Sequence, residues 1–221
     1  MMMGRWCRWG VTVLLVVALP APGGMLSSAS IPAPAAIASQ YGADGAARVQ
    51  RWQALITRLR GQPVAVQLAG VNDFFNQLAF VDDIDVWHME DYWATPVEFL
   101  GVGRGDCEEF ALAKYLTLRE LGVPDEQMRL HYVKYVPYDQ FHMVLSWAAD
   151  PRQMPVILDN IDKRIVPAAS RRDLVPIYSF NGSSLWTATA SGQEAPVGDA
   201  SRLSRWEKWQ MRVRNGVTHT P

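Results

Sequence analysis

The sequence predicts an α+β fold in which N-terminal helices pack on an antiparallel sheet. Apolar residues recur at the three- and four-residue spacing of amphipathic helices as far as residue 121. From residue 129 onward apolar and polar residues alternate, and turn residues divide the alternating runs into short strands. Strands joined by such short turns pair antiparallel, so we expect a helical layer followed by a sheet.

Residues 1–29 are expected to be a secretory signal peptide. Arg5 and Arg8 precede a short apolar run, and the small residues at 27–29 suit a cleavage site. The apolar run is shorter than the roughly 20 residues that span a bilayer as a helix. Removal of the two arginines changes the net charge from -1 to -3. Neither charge indicates a nucleic-acid-binding surface or a polybasic membrane patch.

The next segment, 30–45, is rich in Ala, Ser, Pro and Gly, and we expect it to be a flexible lead-in. A single domain would then span 46–214. Two amphipathic helices are predicted to open it, over 46–60 and from Pro63 onward. The acidic run at 82–85 lacks the glycine and distal glutamate of a calcium-binding loop, so we expect it to be a solvated connector.

A central helix is predicted to begin at Cys107. Asp106 is a favourable N-cap, and Glu109 stands three residues later as the partner of a capping box. Apolar residues continue at helical spacing until Gly122 and Pro124 end the helix. Cys107 therefore lies in the first turn, where backbone N–H groups and the helix dipole can lower the pKa of a thiol.

Cys107 would be the single cysteine of the mature chain, because Cys7 lies within the expected signal peptide. An exported protein with one cysteine cannot use it in an internal disulfide. A free thiol in an oxidising compartment is a liability unless it is buried or has a function. A small buried core residue is one interpretation of Cys107, and a nucleophile is the interpretation that its isolation favours.

The second half of the chain predicts strands over 129–136, 141–148 and 155–160, separated by turns that contain Pro and Asp. A further hairpin is expected around Asn181-Gly182. A short helix with two tryptophans is predicted over 201–214.

Two residues of these strands are suited to assist a thiol. His142 lies near the start of the second strand and Asp159 near the end of the third. A turn centred on Asp150-Pro151 would place them directly opposite each other on one face of the sheet, and a shift of one residue would separate them. His142 could then take the thiol proton and return it to a leaving amine, while Asp159 fixes the imidazole tautomer. Backbone N–H groups at the start of the cysteine helix could bind the oxyanion.

Several segments resemble the bacterial transglutaminase-like cysteine proteinases. The resemblance is carried by WATPVEFL at 93–100 and by GDCEEFALAKY at 105–115, with FHMVL at 141–145 and LDN at 158–160. It extends over about residues 52–186, which is most of the mature chain. The cysteine motif is fairly specific, whereas the histidine and aspartate motifs are short.

The resemblance implies a papain/transglutaminase-like fold with a catalytic triad of Cys107, His142 and Asp159. It implies a periplasmic endopeptidase that cleaves a large surface adhesin near its N-terminus at a pair of alanines, releasing the adhesin and dispersing biofilm. It also implies inhibition by the periplasmic domain of an inner-membrane cyclic-di-GMP receptor. No organic cofactor and no nucleic-acid partner are expected.

The resemblance further implies calcium, with Asp106 and Glu108 as the first candidates for ligands and Glu109 as a third. The negative charges of these acids would raise the pKa of the Cys107 thiol, and a bound Ca²⁺ would reverse the local field. The alternative is that the acids only cap the helix. Trp93 is expected to pack in the core or to form the wall of a cleft near the cysteine.

Two other functions remain open on the sequence. The same triad could transfer the acyl group to an amine, as in transglutaminases, and nothing in the residues separates transfer from hydrolysis. A non-catalytic periplasmic binding module could keep the fold without the chemistry. The presence of all three triad residues argues against the binding module.

Overall fold

A computed structural model describes residues 30–188 and 194–221 of the chain. The expected signal peptide over 1–29 lies outside these residues. Within the described ranges no helix has both the length and the apolar character needed to cross a membrane. The fold is α+β, as predicted, with helices packed on a seven-stranded antiparallel sheet.

The described residues form six α-helices. Their bounds are α1 Pro34–Leu59, α2 Val64–Phe75, α3 Asp83–Trp87, α4 Pro96–Val102, α5 Cys107–Glu120 and α6 Ser204–Asn215. The helix α5 matches its prediction to within one residue, because its capping box and its terminating glycine are both local signals.

The start of α1 corrects one prediction. Residues 30–45 are not a flexible lead-in, because Pro34 begins a helix that buries Ile37 against the core. Gly42, at a φ of 76°, forms a kink within this helix. The glycine and the small residues around it gave the segment the composition of a loop. The packed part of the chain also extends past residue 214, since the His219 N–H donates to a buried glutamate of α4 at 2.7 Å.

The acidic run 82–85 is a second correction. It is not a solvated connector, because residues from Asp83 onward form α3 and the Asp83 side chain is buried. Asp83 shares its helix face with Val86 and Trp87, which are both buried. Their packing takes Asp83 into the protein with them.

The strands form one large sheet and one short pair. The short pair consists of parallel strands β1 Ala79–Phe80 and β2 Arg104–Gly105. The other strands are β3 Met128–Tyr135, β4 Gln140–Trp147, β5 Val156–Leu158, β6 Val166–Pro167, β7 Leu174–Phe180, β8 Ser184–Ala188 and β9 Glu194–Asp199. Their order in the sheet is β6-β5-β4-β3-β7-β8-β9.

The main core lies between α5 and the middle of the sheet. Apolar side chains of α5 such as Leu116 pack with Leu130 of β3 and with Met143 and Leu145 of β4. Because α5 lies on these two central strands, its N-terminal end, which carries Cys107, is held against β4.

Candidate active site

Cys107 is the first residue of α5, as the capping pattern predicts. The Asp106 carboxylate accepts a hydrogen bond from the Glu108 N–H at 3.2 Å, and the Glu109 carboxylate accepts one from the Asp106 N–H at 3.0 Å. These bonds satisfy two N–H groups at the start of the helix. The predicted capping box is confirmed, and it fixes the backbone that carries the Cys107 side chain.

The Cys107 thiol has an environment that opposes its ionisation. It is 8% exposed and donates a hydrogen bond to Glu108 Oε2 at 2.8 Å. Burial raises the pKa of the thiol well above its usual value, and the negative charges of Glu108 and Asp106 raise it further. The backbone N–H of Met143 acts in the opposite direction but does not offset them. Without a counter-charge, the thiol is therefore kept protonated.

His142 and Asp159 meet, but through a register different from the one predicted. The observed ladder pairs Leu145 with Leu158, so β5 is shifted by two residues and Asp159 follows the end of the strand. A shift of two residues keeps side chains on the same face, whereas a shift of one would not. His142 Nε2 therefore still lies 2.8 Å from Asp159 Oδ1. The predicted pair forms diagonally, and the predicted register is wrong.

The Asp159 carboxylate is held by donors on both oxygens. Oδ1 accepts from the Ile161 N–H at 3.0 Å in addition to its contact with His142, and Oδ2 accepts from Arg171 Nη1 at 2.7 Å. Burial would raise the pKa of Asp159, but these partners hold it well below its usual range. Arg171 is itself neutralised by Asp173, at 2.8 Å. The result is a row of alternating charges behind the imidazole, buried at Asp159 and Arg171 and partly exposed at Asp173.

The main chain of Asp159 is held as well. Its carbonyl oxygen accepts hydrogen bonds from Lys114 Nζ at 3.0 Å and from Asn76 Nδ2 at 2.8 Å. Lys114 lies within α5, and its burial lowers its pKa to about 7. These bonds tie α5 and the end of α2 to the end of β5. The helix that carries Cys107 is thus fastened to the loop that carries Asp159.

Cys107 and His142 open into one cavity of about 290 Å³. The rim is apolar, because the side chains of Phe80, Tyr138 and Phe141 are 54%, 71% and 59% exposed. Exposed aromatic groups around a pair of reactive side chains are typical of a ligand-binding cleft.

Trp93, which the sequence places in the core or at a cleft, lies beside a different cavity. It is 7% exposed and stacks on Phe180 with ring centroids 6.0 Å apart. The cavity that it lines also contains Tyr178 and Arg205, and it is separate from the one shared by Cys107 and His142.

The three acids predicted as calcium ligands are joined by a fourth. Asp83, Asp106 and Glu109 each offer an oxygen within 4.8 Å of the others, and Asp106 forms a second such group with Cys107 and Glu108. Burial first and mutual repulsion second raise the pKa of Asp83 to about 7 and that of Asp106 to about 8. Glu109 is shifted in the same direction.

Whether a hard divalent cation fits this cluster can be judged from a carboxylate oxygen that lacks a hydrogen-bond partner. Asp83 Oδ2 accepts the Tyr92 N–H at 2.6 Å, but the buried Oδ1 has no hydrogen-bond partner among the described residues. An orphaned carboxylate oxygen beside other carboxylates matches the all-oxygen ligand set that Ca²⁺ prefers. Glu109 is less free, since it already accepts the N–H groups of Ala94 and Asp106.

Sequence reasoning missed two residues of the site. Asp83 could have been found, because Val86 and Trp87 follow it at helical spacing and indicate a buried face. Arg171 gave no such signal, since it lies in an irregular segment and reaches Asp159 only through the fold.

Comparisons with known proteins agree with this geometry. The family model described as bacterial transglutaminase-like cysteine proteinase matches residues 44–191. Three structures of Legionella pneumophila LapG are similar to the chain at 39% sequence identity. The EGTA-treated form has a TM-score of 0.72 and covers 83% of this chain and 98% of that one. A second structure, described only as LapG, has a TM-score of 0.71 and covers 83% of this chain and 97% of that one. The calcium-bound form has a TM-score of 0.70 and covers 81% of this chain and 96% of that one. A search of curated proteins gives no match.

Proposed function

The chain belongs to the bacterial transglutaminase-like cysteine proteinases, and on this premise we propose that it is a calcium-dependent periplasmic endopeptidase acting on a large surface adhesin. The observation that carries the proposal is the 2.8 Å contact between His142 and Asp159 beside a cavity that also contains Cys107. A thiol, an imidazole and an orienting carboxylate are the groups that acyl transfer through a thioester requires.

Each triad residue has a distinct role in this proposal. His142 Nε2 faces Asp159, so Nδ1 is the nitrogen available to take the proton from the Cys107 sulfur. The thiolate attacks the peptide carbonyl, and the protonated imidazole gives its proton to the leaving amine. Water, activated by the same imidazole, then hydrolyses the thioester. Asp159 stays ionised throughout, because its partners hold its pKa low.

The start of α5 would serve the oxyanion. Backbone N–H groups at a helix N-terminus stabilise negative charge, and that of Cys107 lies next to the attacking sulfur. The exposed aromatic rim of the cavity would offer apolar surface to the side chains of a bound substrate.

Calcium would correct the charge imbalance around the thiol. We propose that Asp83, Asp106 and Glu108 hold the ion, with Glu109 contributing beside its capping bonds. When bound, Ca²⁺ supplies positive charge among carboxylates whose repulsion otherwise disfavours the Cys107 thiolate. The orphaned Asp83 Oδ1 and the raised pKa values of Asp83 and Asp106 support this assignment. The calcium-bound and EGTA-treated structures of the Legionella protein support it further.

The substrate and the partner follow from the family resemblance. We propose cleavage near the N-terminus of a surface adhesin at a pair of alanines, which would release the adhesin and disperse biofilm. The periplasmic domain of a cyclic-di-GMP receptor in the inner membrane would bind the protease and inhibit it. The basic and apolar segment within residues 1–29 supports export to the periplasm.

The test is a cleavage assay with the purified protein and the N-terminal fragment of a large adhesin from the same organism. Wild type is compared with Cys107→Ala, each with excess calcium and with a chelator. We expect one discrete cut by wild type, none by the variant and a weaker cut in chelator. Circular dichroism of the variant controls for folding. Absence of a cut by folded wild type with calcium would contradict the proposal, and incorporation of an added amine would indicate acyl transfer.

A further inference from the structure

Residues 92–94 form a short segment between α3 and α4, outside the helices and strands, and we name it the bridging segment. On one side, its main chain orients two of the acids that are proposed as calcium ligands. The Tyr92 N–H donates to Asp83 Oδ2 at 2.6 Å, and the Ala94 N–H donates to Glu109 Oε1 at 2.8 Å. Both acids are buried. The positions of their carboxylates therefore depend on where the bridging segment lies.

On its other side, the bridging segment is bonded to α6. Trp209 Nε1 donates to the Ala94 carbonyl at 2.9 Å, and Arg212 Nη2 donates to the Trp93 carbonyl. Trp209 and Arg212 are three positions apart, so they project from the same face of the helix. Two N–H groups of this segment thus bind the acids, whereas two of its carbonyl groups bind α6.

The bond between Trp209 and Ala94 lies in the protein interior, since both residues are at most 1% exposed. A buried carbonyl group that loses its donor costs free energy, because no water replaces the lost bond. Without the indole N–H, Ala94 would be drawn towards another donor. The same residue supplies the N–H that Glu109 accepts, so its displacement would move Glu109 as well.

Helix α6 is also fixed by contacts that do not involve these acids. Arg212 Nη1 lies 3.0 Å from Glu98 Oε2, and Glu98 is a fully buried residue of α4. The Glu98 carboxylate also accepts the N–H groups of Thr95 at 2.5 Å and of His219 at 2.7 Å. These bonds join α6 to α4 and to the C-terminal residues. The helix is therefore a firm support for the bridging segment.

The acids need a support because they repel one another. Asp83, Asp106 and Glu109 each offer an oxygen within 4.8 Å of the others, and the buried Asp83 Oδ1 has no hydrogen-bond partner in the described part of the chain. Carboxylates at this spacing move apart unless their surroundings hold them. Groups that hydrogen-bond to metal ligands keep those ligands in place, and their loss typically lowers metal affinity by about 10- to 100-fold.

We propose that Trp209 is a positioning residue for calcium, which acts on Glu109 through the main chain of Ala94. The inference rests on the proposed calcium dependence and adds the residue that holds the ligands from behind. Its indole N–H fixes the bridging segment, whose own N–H groups orient the acids. Coupling between two sites is reciprocal. Calcium should therefore hold α6 more firmly, just as a docked α6 should favour the binding of calcium.

The first test is the calcium affinity of the purified protein, measured by isothermal titration calorimetry. Trp209→Phe keeps an aromatic ring and removes the N–H, so the dissociation constant for calcium should rise about tenfold. Trp206→Phe is the matched control. Trp206 is 1% exposed and its ring stacks on Trp209 with centroids 5.1 Å apart, but its indole N–H bonds to none of the described residues. The control variant loses similar packing and should keep the affinity of wild type.

The second test is amide hydrogen exchange of wild type with calcium and with a chelator. Exchange should slow more in α6 than in α2, because α6 is bonded to the bridging segment, whereas α2 bonds to Lys163 and to the end of α1. Trp209→Phe should reduce the protection that calcium gives to α6. The wild-type comparison needs no substitution, so it decides the proposal even when Trp209→Phe does not fold.

The outcomes separate the positioning role from the proposed function. An equal loss of affinity in Trp209→Phe and Trp206→Phe would assign the effect to packing and overturn the role. Wild-type affinity in folded Trp209→Phe, or equal slowing of exchange in α6 and α2, would overturn it as well. Each of these results leaves calcium binding and the endopeptidase standing. Absence of calcium binding by folded wild type would instead overturn the calcium dependence, and with it the role of Trp209.

Discussion

Around Asp159 every carboxylate oxygen faces a donor, whereas around Cys107 the carboxylates face one another. Asp159 is bonded to His142, to Arg171 and to a backbone N–H, and its pKa is held low. Near the thiol, Asp106 shares its surroundings with Asp83, and the pKa values of both acids are raised by burial and repulsion. The two halves of the site differ in whether the chain supplies its own counter-charges.

This difference indicates how activity can be controlled. The half that orients the imidazole is complete from the moment the chain folds, so it requires nothing from solution. The half that forms the thiolate in the proposed mechanism is incomplete, because its acids raise the pKa of Cys107. A cation from solution would therefore act on the nucleophile and leave the base unchanged.

The largest effect is expected when the negative charge that holds the imidazole is removed. Asp159→Asn keeps the size of the side chain but favours the wrong imidazole tautomer, so kcat/KM should fall by about 10³ to 10⁴. Asp150→Asn, in a turn where Arg152 is exposed, is the control and should change kcat/KM little. Retention of a tenth of the activity by Asp159→Asn would contradict the assignment.

The next effect concerns stability. Arg171→Met leaves the buried Asp159 with one cation fewer. The free energy of unfolding of this variant should be about 3–5 kcal/mol lower than that of wild type. Arg164→Met removes a similar pair with Asp162, but Arg164 is 80% exposed, so the loss should stay within about 1 kcal/mol. Urea unfolding of both variants in chelator provides the measurement. Equal losses would mean that Arg171 is not needed to compensate Asp159.

The acids around the thiol should make the stability of the protein depend on pH. Asp83 and Asp106 have raised pKa values of about 7 and 8, so between about pH 4 and pH 8 the folded state binds more protons than the unfolded state. In chelator, the free energy of unfolding should therefore fall as pH rises across this range, by a few kcal/mol. The contribution of Asp159 has the other sign and is lost only in strong acid.

Calcium and one substitution distinguish the source of this slope. Asp83→Asn should flatten the decline in chelator, and excess calcium should flatten it in wild type. Denaturant unfolding at pH 5, 6.5 and 8 measures both. A stability that rises with pH in chelator would show that these acids are not crowded in the folded state.

The smallest expected effect concerns Glu108. It accepts the thiol hydrogen and raises the pKa of Cys107, so Glu108→Gln in chelator should speed alkylation by iodoacetamide several-fold. The Cys107→Ala protein gives the background from any other thiol. An unchanged rate would leave burial and the charge of Asp106 as the obstacles to ionisation of Cys107.

Several features of the site were predictable because their signals are local. The capping box of Asp106 and Glu109 predicted the start of α5, and the terminating glycine predicted its end to within one residue. Alternating apolar residues predicted β3 and β4 with bounds shifted by one residue. The pairing of His142 with Asp159 survived an error of two residues in register, because side chains of a strand alternate with a period of two.

The sequence by itself determined that a thiol begins a capped helix, and that an imidazole on one strand meets a carboxylate at the end of the next. Helix caps, turns and periodicities involve residues only a few positions apart, so these features are written locally. Tertiary structure alone decided the actual register, the burial of Asp83 beside Asp106, and the reach of Arg171 to Asp159. Those contacts depend on how distant segments pack, and their electrostatic consequences depend on the burial that packing creates.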